Sequence, residues 1–468
     1  MSKLPHIILM MTDDQGWGDV GYNGNRIVKT PHLDQFATEG MRLDRFYAQA
    51  PVCSPTRASC MTGRHPFRLN IPWAGRGALP KEEISLAKAL KTQGYACGHF
   101  GKWHLGQLSK TLKQTELPVE VCEEMYSPPW EHGFDTCFST EAMMPTYNPY
   151  FHNSEACDPN KKGYAVMDKP VDFGDISGRR WRASYWRGPG QMVDEHLAGC
   201  DSSIIVDEAL TFIDEAIEKE QPSFSCIWFH APHTPVVAGT DMRELYPDLD
   251  IQQQHWYGCL SALDKQVGRV RDFLQKHNIE DHTFLWFCSD NGPSYTHDYN
   301  SAGPFKGKKG CLSEGGVRVP SIAYWPAKEI IGGESNTTVC TSDFYPTIVE
   351  TLGIEFDHQP PLDGTNVLDI LQGYSTKRKK ALGFQSPIKE KSNIMADTKK
   401  LEIAWLKDEF KLISYNDGQS WELYNLEKDP SETNDISDEY SSLVSQMHQD
   451  CMDWLKSCSY SAAGNDYI

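Results

Sequence analysis

Phe284-Leu285-Trp286-Phe287-Cys288-Ser289-Asp290-Asn291 is an apolar run that ends abruptly on an acid and an amide. Phe284–Cys288 reads as a buried strand. Three other runs end the same way. Ile7–Met11 leads into Asp13-Asp14, Tyr95–Phe100 into Lys102 and His104, and Phe224–Phe229 into His230 and His233. Helical patterns lie between them. Thr30-Pro31 reads as an N-cap with proline in the first turn, and Gly40 closes that helix. A second helix runs from Leu86 to about Gln93. Val206, Leu210, Ile213 and Ile217 mark a third, and Leu263, Val267, Val270 and Leu274 a fourth. Strand alternating with helix predicts an α/β fold, a mainly parallel sheet with helices on both faces. Ligands bind such sheets beyond the carboxyl ends of the strands. Four strands are therefore expected to bring acids, an amide, histidines and a lysine to one edge.

The pattern changes towards the end. Leu401–Leu406 and Phe410–Tyr415 read as hairpin strands, Asn416-Asp417-Gly418 as a turn, Glu422–Leu426 as a further strand and Ser441–Ser457 as a helix. The expected division is an α/β domain over 1–355, then a linker and a small C-terminal α+β subdomain with antiparallel sheet over 356–468. The segment from Gly353 to Lys399 gives no clear pattern. Residues 105–200 and 292–316 are long, irregular and rich in aromatics, glycine and proline, as loops that line sites often are.

Composition narrows the function. The 468 residues carry a formal charge of −19, which argues against a nucleic-acid partner. A local positive cleft for a small anion remains possible on such a surface. No run approaches the roughly 20 apolar residues a membrane helix needs. The 14 cysteines include no Cys-x-x-Cys pair, and Cys226 and Cys288 sit in apolar strands. A cytoplasmic protein is expected for the chain as given, or a periplasmic or secreted one if a signal peptide has been trimmed.

Asp13, Asp14, Asp290 and Asn291 offer only oxygen ligands, a set that suits a hard cation such as Ca²⁺ or Mg²⁺. In Cys53-Ser54-Pro55-Thr56-Arg57 the Ser-Pro pair starts a helix that Gly63 ends. Cys53 then sits at a helix N-terminus, where the dipole favours an anion. It is either an activated thiol, as that position favours, or a buried one. Arg57 lies one turn on, over the same face. His65 and Arg68 read as surface or supporting positions, Cys60 as core.

Cys53-Ser54-Pro55-Thr56-Arg57 resembles the Cys-x-Pro-x-Arg signature of the formylglycine-dependent (type I) sulfatases. Further segments match that family in order: Met11–Gly16, Gly101-Lys102-Trp103-His104-Leu105-Gly106, Pro232-His233-Thr234-Pro235, Ser289-Asp290-Asn291-Gly292, Lys309-Gly310 with Glu314–Arg318, and Glu422–Leu426 with Asp429-Pro430. The resemblance implies an alkaline phosphatase-like fold. It implies that a maturation enzyme oxidises Cys53 to formylglycine, and that Asp13, Asp14, Asp290, Asn291 and the modified Cys53 hold Ca²⁺. One hydroxyl of hydrated formylglycine attacks sulfur, and the other then expels sulfate. The implied roles are a base for His104, steadying of the diol and developing charge for Arg57 and Lys102, and sulfate contact with leaving-group protonation for His233 and Lys309. Lys306 and Lys308 lie close to Lys309, and a slip of one residue stays open. His230 is read as loop support.

These signatures address sulfate, not its carrier. Trp73 and Arg76 follow the motif helix, and Trp130, Tyr147, Tyr150, His152, Trp186, Arg187 and His196 lie in the long insertion, where Trp181 also argues for order. Aromatic faces suit sugars and arginines suit anions, so a sulfated carbohydrate is the expected substrate, with Trp73, Arg76 and His196 as candidate contacts. The rival readings are a phosphonate monoester or phosphodiester hydrolase on the same scaffold, and a non-catalytic calcium-dependent binder of sulfated glycans.

Overall fold

The computed structural model describes residues 4–111, 123–149, 184–193, 195–294, 299–388 and 397–467. Tyr150, His152 and Trp181 lie outside them.

The large sheet is built from β1 (His6–Thr12), β2 (Met41–Leu43), β4 (Ala96–Lys102), β5 (Thr136–Thr140), β6 (Tyr185–Gly188), β7 (Gln191–Val193), β8 (Ser223–Trp228), β9 (Thr283–Ser289), β10 (Ser321–Tyr324) and β11 (Gly333–Ser335). Its spatial order is β11-β2-β10-β9-β1-β8-β4-β5-β6-β7. The five strands from β9 to β5 pair in parallel. β10 runs against both β9 and β2. A pair formed by β3 (Phe46–Tyr47) and β12 (Val339–Cys340) lies beside it.

β1 is apolar at consecutive positions because both its faces are covered. Ile7, Leu9 and Met11 join one core, Ile8 and Met10 the other. Helices Asp201–Glu218 and Ile251–Lys276 cover the second face. Thr30 stands at the expected N-cap, but its side chain does not cap the helix Pro31–Glu39. Asp264 of the long helix does so, accepting from Leu33 N at 2.7 Å and His32 N at 3.2 Å. Tertiary packing has replaced a local cap.

The C-terminal sheet is antiparallel, in the order β13 (Leu382–Ile388), β14 (Asp397–Lys407), β15 (Phe410–Ser414), β16 (Glu422–Asn425). β13 arises in the segment whose sequence gave no pattern. Alternation along β14 sets its two faces. Ala404 and Leu406 turn to Tyr47, Leu312 and Val317 of the large unit, whereas Ile403 and Trp405 pack under the helix Ser441–Ala462.

That helix decides between two readings of His65 and Arg68, the surface one and the supporting one. His65 and Arg68 are buried, not superficial. Arg68 Nε bonds Asp363 at 2.8 Å and Nη1 bonds Ser461 at 2.9 Å, and the His65 ring packs edge-on to Trp454. The chain following the motif helix is thus locked under the C-terminal helix.

Strand register sets the active edge. Thr12 pairs with Ser289, Met11 with Trp228, and Gly101 also with Trp228, so these strands end nearly level. Gly101 has φ +101°, and a Cβ there would lie 1.9 Å from the Trp228 carbonyl oxygen. Gly101→Ala is expected to cost more than about 2 kcal/mol, from φ strain and backbone clash. A denaturant midpoint unchanged from wild type would contradict that.

Among the described residues no helix is long and apolar enough to cross a membrane.

Candidate active site

The ladder runs one residue past the strands. Asp290 N donates to Thr12 O and Asp13 N to Ala231 O, both at 3.0 Å, which seats Asp13 and Asp290 side by side. Asp14 takes φ +67°, and its N–H donates to Asp290 Oδ1 at 3.2 Å. Asn291 Nδ2 donates to Asp14 Oδ1 at 2.8 Å. The four oxygen-bearing residues are all buried.

Three cations converge on them. Lys102 Nζ lies 2.6 Å from Asp13 Oδ2, and Lys309 Nζ donates to Asp14 Oδ1. Arg57, charge-coupled to Cys53, is anchored by two other strands. It bonds Asp290 Oδ2 through Nε at 3.0 Å and Nη2 at 2.7 Å, and donates from Nη1 to Lys102 O at 2.8 Å. Its guanidinium lies over the Trp228 ring, 5.0 Å from the centroid. Trp228 read only as a strand residue in the sequence. The stack became visible once β8 was placed beside β4.

These charges hold one another. Burial would raise Asp13, but Lys102, His233, Arg57 and Lys309 hold it well below the ordinary carboxylate range. Asp290 behaves oppositely: burial first, then Asp13, push it up to about 7 against Arg57 and Lys102.

Cys53 opens the helix Cys53–Thr62, one residue before the expected Ser-Pro start, and every residue of that helix is buried. Burial pushes the thiol pKa up, although Lys102 and Lys309 pull against it. Loss of water thus outweighs the nearby lysines and favours the neutral thiol. Cys53, Asp13 and Asp290 place one ligand atom each within 4.8 Å of the others, as do Asp13, Asp14 and His233.

Asp13 Oδ1 and Asn291 Oδ1 are buried and accept no hydrogen bond. Two unsatisfied oxygens beside Asp14 and Asp290 form an all-oxygen donor set that fits a hard cation.

His233 Nδ1 bonds the Thr234 carbonyl at 2.6 Å, so that nitrogen carries a proton, and Nε2 faces Asp14 Oδ2 at 3.6 Å. His104 has φ +54° and a buried Nδ1 without a partner, and burial first, then Lys102 and Arg57, hold its pKa well below normal. His230 bonds Asp201 at 2.8 Å and Thr140 at 2.7 Å, holding the loop above β8. Lys306 lies over the rings of Tyr415 and Tyr424.

The substrate candidates separate. Trp73 and Arg76 close a turn through Arg76 N and Trp73 O at 3.0 Å. Inside that turn Gly75 N donates to Ser54 Oγ at 3.0 Å, beside Cys53, and a Cβ on Gly75 would meet His104 Nε2 at 3.7 Å. His196 lies apart, its side chain 95% exposed at the rim of another cavity with Tyr147. Trp186 is buried, and Arg187 pairs with Glu208.

Sequence reasoning missed the support beneath the Lys309 loop. Leu312 N donates to Glu402 Oε2 at 2.8 Å and Glu314 N to Glu432 Oε2 at 2.7 Å. Lys411 bridges Glu314 at 3.0 Å and Glu432 at 2.9 Å, and Tyr47 donates to Glu314. The C-terminal sheet thus grips the loop that carries Lys309.

A family model for sulfatases matches residues 5–354, and one for the C-terminal part of N-sulphoglucosamine sulphohydrolase matches 307–457. The chain belongs to the sulfatase family of the alkaline phosphatase-like superfamily, a family of sulfuric ester hydrolases. It is 29% identical to N-acetylgalactosamine-6-sulfatase of Mus musculus over 387 residues, which are 78% of this chain and 66% of that protein. It is similar in structure to the protein described as Ps i-CgsB in complex with k-i-k-neocarrahexaose, with 26% identity, a TM-score of 0.78, and 96% and 92% of the two chains covered. The phosphonate monoester hydrolase of Agrobacterium radiobacter shares the fold at 18% identity and a TM-score of 0.67, over 97% and 96% of the two chains.

Proposed function

We propose that this chain hydrolyses a sulfate ester carried by a saccharide, using formylglycine made from Cys53 by a maturation enzyme and a calcium ion held by Asp13, Asp14, Asp290 and Asn291. Residues 1–355 are proposed as the catalytic unit, and 356–468 as linker and C-terminal subdomain. The observation that carries the reading is the meeting of two lysines, an arginine and two histidines with an all-oxygen donor set beside Cys53.

The hydrated aldehyde supplies the attacking hydroxyl and the route by which sulfate leaves. Calcium, held by these acids and the amide, would supply positive charge for an anionic ester. Arg57, fixed by Asp290 and the Lys102 carbonyl, holds its charge in one orientation. Lys102 and Lys309 add ammonium groups where negative charge grows, and burial strengthens that stabilisation. His233 keeps one proton on Nδ1 and would deliver another from Nε2 to the leaving oxygen. His104, kept neutral by burial, accepts the proton released as sulfate departs. The Trp73–Arg76 turn, packed against Ser54, is the proposed first contact for the sugar, with His196 further out. The saccharide assignment draws on the sulfated-sugar name of the Mus musculus relative and on the carrahexaose-bound structure.

The test is mass spectrometry of the Cys53 peptide from protein made beside a maturation enzyme, together with rates on aryl sulfate, aryl phosphonate and sulfated oligosaccharides. Conversion to the aldehyde with preference for sulfate supports the proposal. A thiol that persists while a control sulfatase is converted defeats it, and faster phosphonate cleavage makes the chain a phosphonate hydrolase. Chelation should abolish turnover and lower the melting temperature by several degrees, both restored by Ca²⁺. Full activity in chelator would remove the metal from the scheme.

A further inference from the structure

A cavity of about 460 Å³ opens on the seam between the two sheets. Arg45, Lys377, Arg378, Lys379, Lys380 and Lys407 line it beside Asp408, Glu409 and Glu427, with Arg378 paired to Asp343 and Lys407 to Asp450 from outside it. Such a concentration of cations stands out on a chain of charge −19.

Two arginines and a threonine are set into its wall. Arg45 is 95% buried by its 5% exposure, and Nη2 donates to Asp408 O at 2.8 Å, but its Nε has no partner. Arg378 is fixed by two bonds to Asp343, and its Nε is likewise buried and unpartnered. Thr338, on the same wall, has a buried hydroxyl with no partner. Lys377 and Lys379 are exposed at the mouth and form no ion pair among the described residues.

The cavity also has a defined place. β10 is antiparallel to both β2 and β9, so β2 ends at the same edge as β9. Arg45 follows β2, and Asp290 follows β9. The two strands are two spacings apart, on the order of 10 Å.

We propose that this cavity is an accessory subsite for a sulfate ester group of a sulfated saccharide, separate from the group hydrolysed at Cys53. The proposal rests on the saccharide reading above. Arg45 and the lysines around the cavity suit a sulfate's oxygens, and the exposed Lys377 and Lys379 at the mouth draw the polyanion in. The volume falls in the range of small-molecule sites and is enough for a sulfated sugar unit.

The experiment uses the full chain and its Lys377→Glu/Lys379→Glu variant, whose changes lie at exposed positions away from the site around Cys53. Retardation in native gels containing a sulfated galactan is compared at low and moderate salt, with 4-nitrophenyl sulfate turnover as the control. The expected result is at least about tenfold weaker retention of the variant, a flatter salt dependence, and aryl sulfate rates within twofold. Equal retention of both proteins overturns the proposal. Competition by inorganic sulfate at low millimolar concentration that matches a sulfated oligosaccharide would make this a free-anion site and overturn the saccharide assignment. The gel reads binding alone, so it stands apart from failure of hydrolysis, which the aryl sulfate rate reports.

Discussion

Cys53→Ala is expected to leave the fold intact and to lower sulfate ester hydrolysis by about 10⁴-fold or more. The substitution removes one sulfur at the first residue of a helix that keeps its Gly63 end and its buried packing. Deleting so small a buried group costs on the order of 1 kcal/mol, well within what a chain of this size tolerates. The chemistry has no substitute. The neighbouring Ser54 has its hydroxyl engaged by Gly75 N, and Arg57, Lys102 and Lys309 are cations that only bind. The measurement is kcat on an aryl sulfate for matured protein, beside thermal unfolding. A variant that melts normally and keeps a tenth of the rate would show that Cys53 is not the nucleophile.

Lys411→Met should cost about 3–5 kcal/mol of stability. Its ammonium is 1% exposed and lies between Glu314 and Glu432, both fully buried at their side chains. Burial would lower the Lys411 pKa, but Glu432 and Glu314 raise it well above normal, so the charge is kept. Removing it strands two carboxylates in a water-poor seam. Their folded-state pKa values then rise above the unfolded values. The folded state holds more protons, so stability falls as pH climbs through the raised values. The deficit should therefore be smaller at pH 5 than at pH 8, read from denaturant midpoints. Adding Glu314→Gln and Glu432→Gln should recover a large part of it. A single variant as stable as wild type would mean that the cluster is hydrated.

Several of the clustered acids, histidines and Lys102 were legible because each ends an apolar run that cannot continue as helix, whereas Arg57 and Lys309 rested on the motifs shared with the sulfatases. Asp13, Lys102, His233 and Asp290 are marked by their position after a strand, and parallel topology does the rest. β13 was not legible. Gly383, Gln385 and Pro387 interrupt its pattern, and its pairing partner β14 supplies the order. β10, Ser321–Tyr324, was too short to stand out. Burial of charge was invisible for a different reason. Lys411 and Glu314 are 97 residues apart, and Arg68 and Asp363 are 295 apart. Nothing local distinguishes them from solvated charges.

The grip of Glu402, Lys411 and Glu432 on the Lys309 loop also orders events during synthesis. The strands carrying Asp13, Lys102 and Asp290 and the helix that begins at Cys53 leave the ribosome first, at several residues per second. The Glu314 end of the Lys309 loop lacks its Lys411 and Glu432 partners until residue 432 has emerged, more than a hundred residues later. Under the proposed maturation, that delay is the interval in which an enzyme can reach Cys53, before the completed protein closes over it.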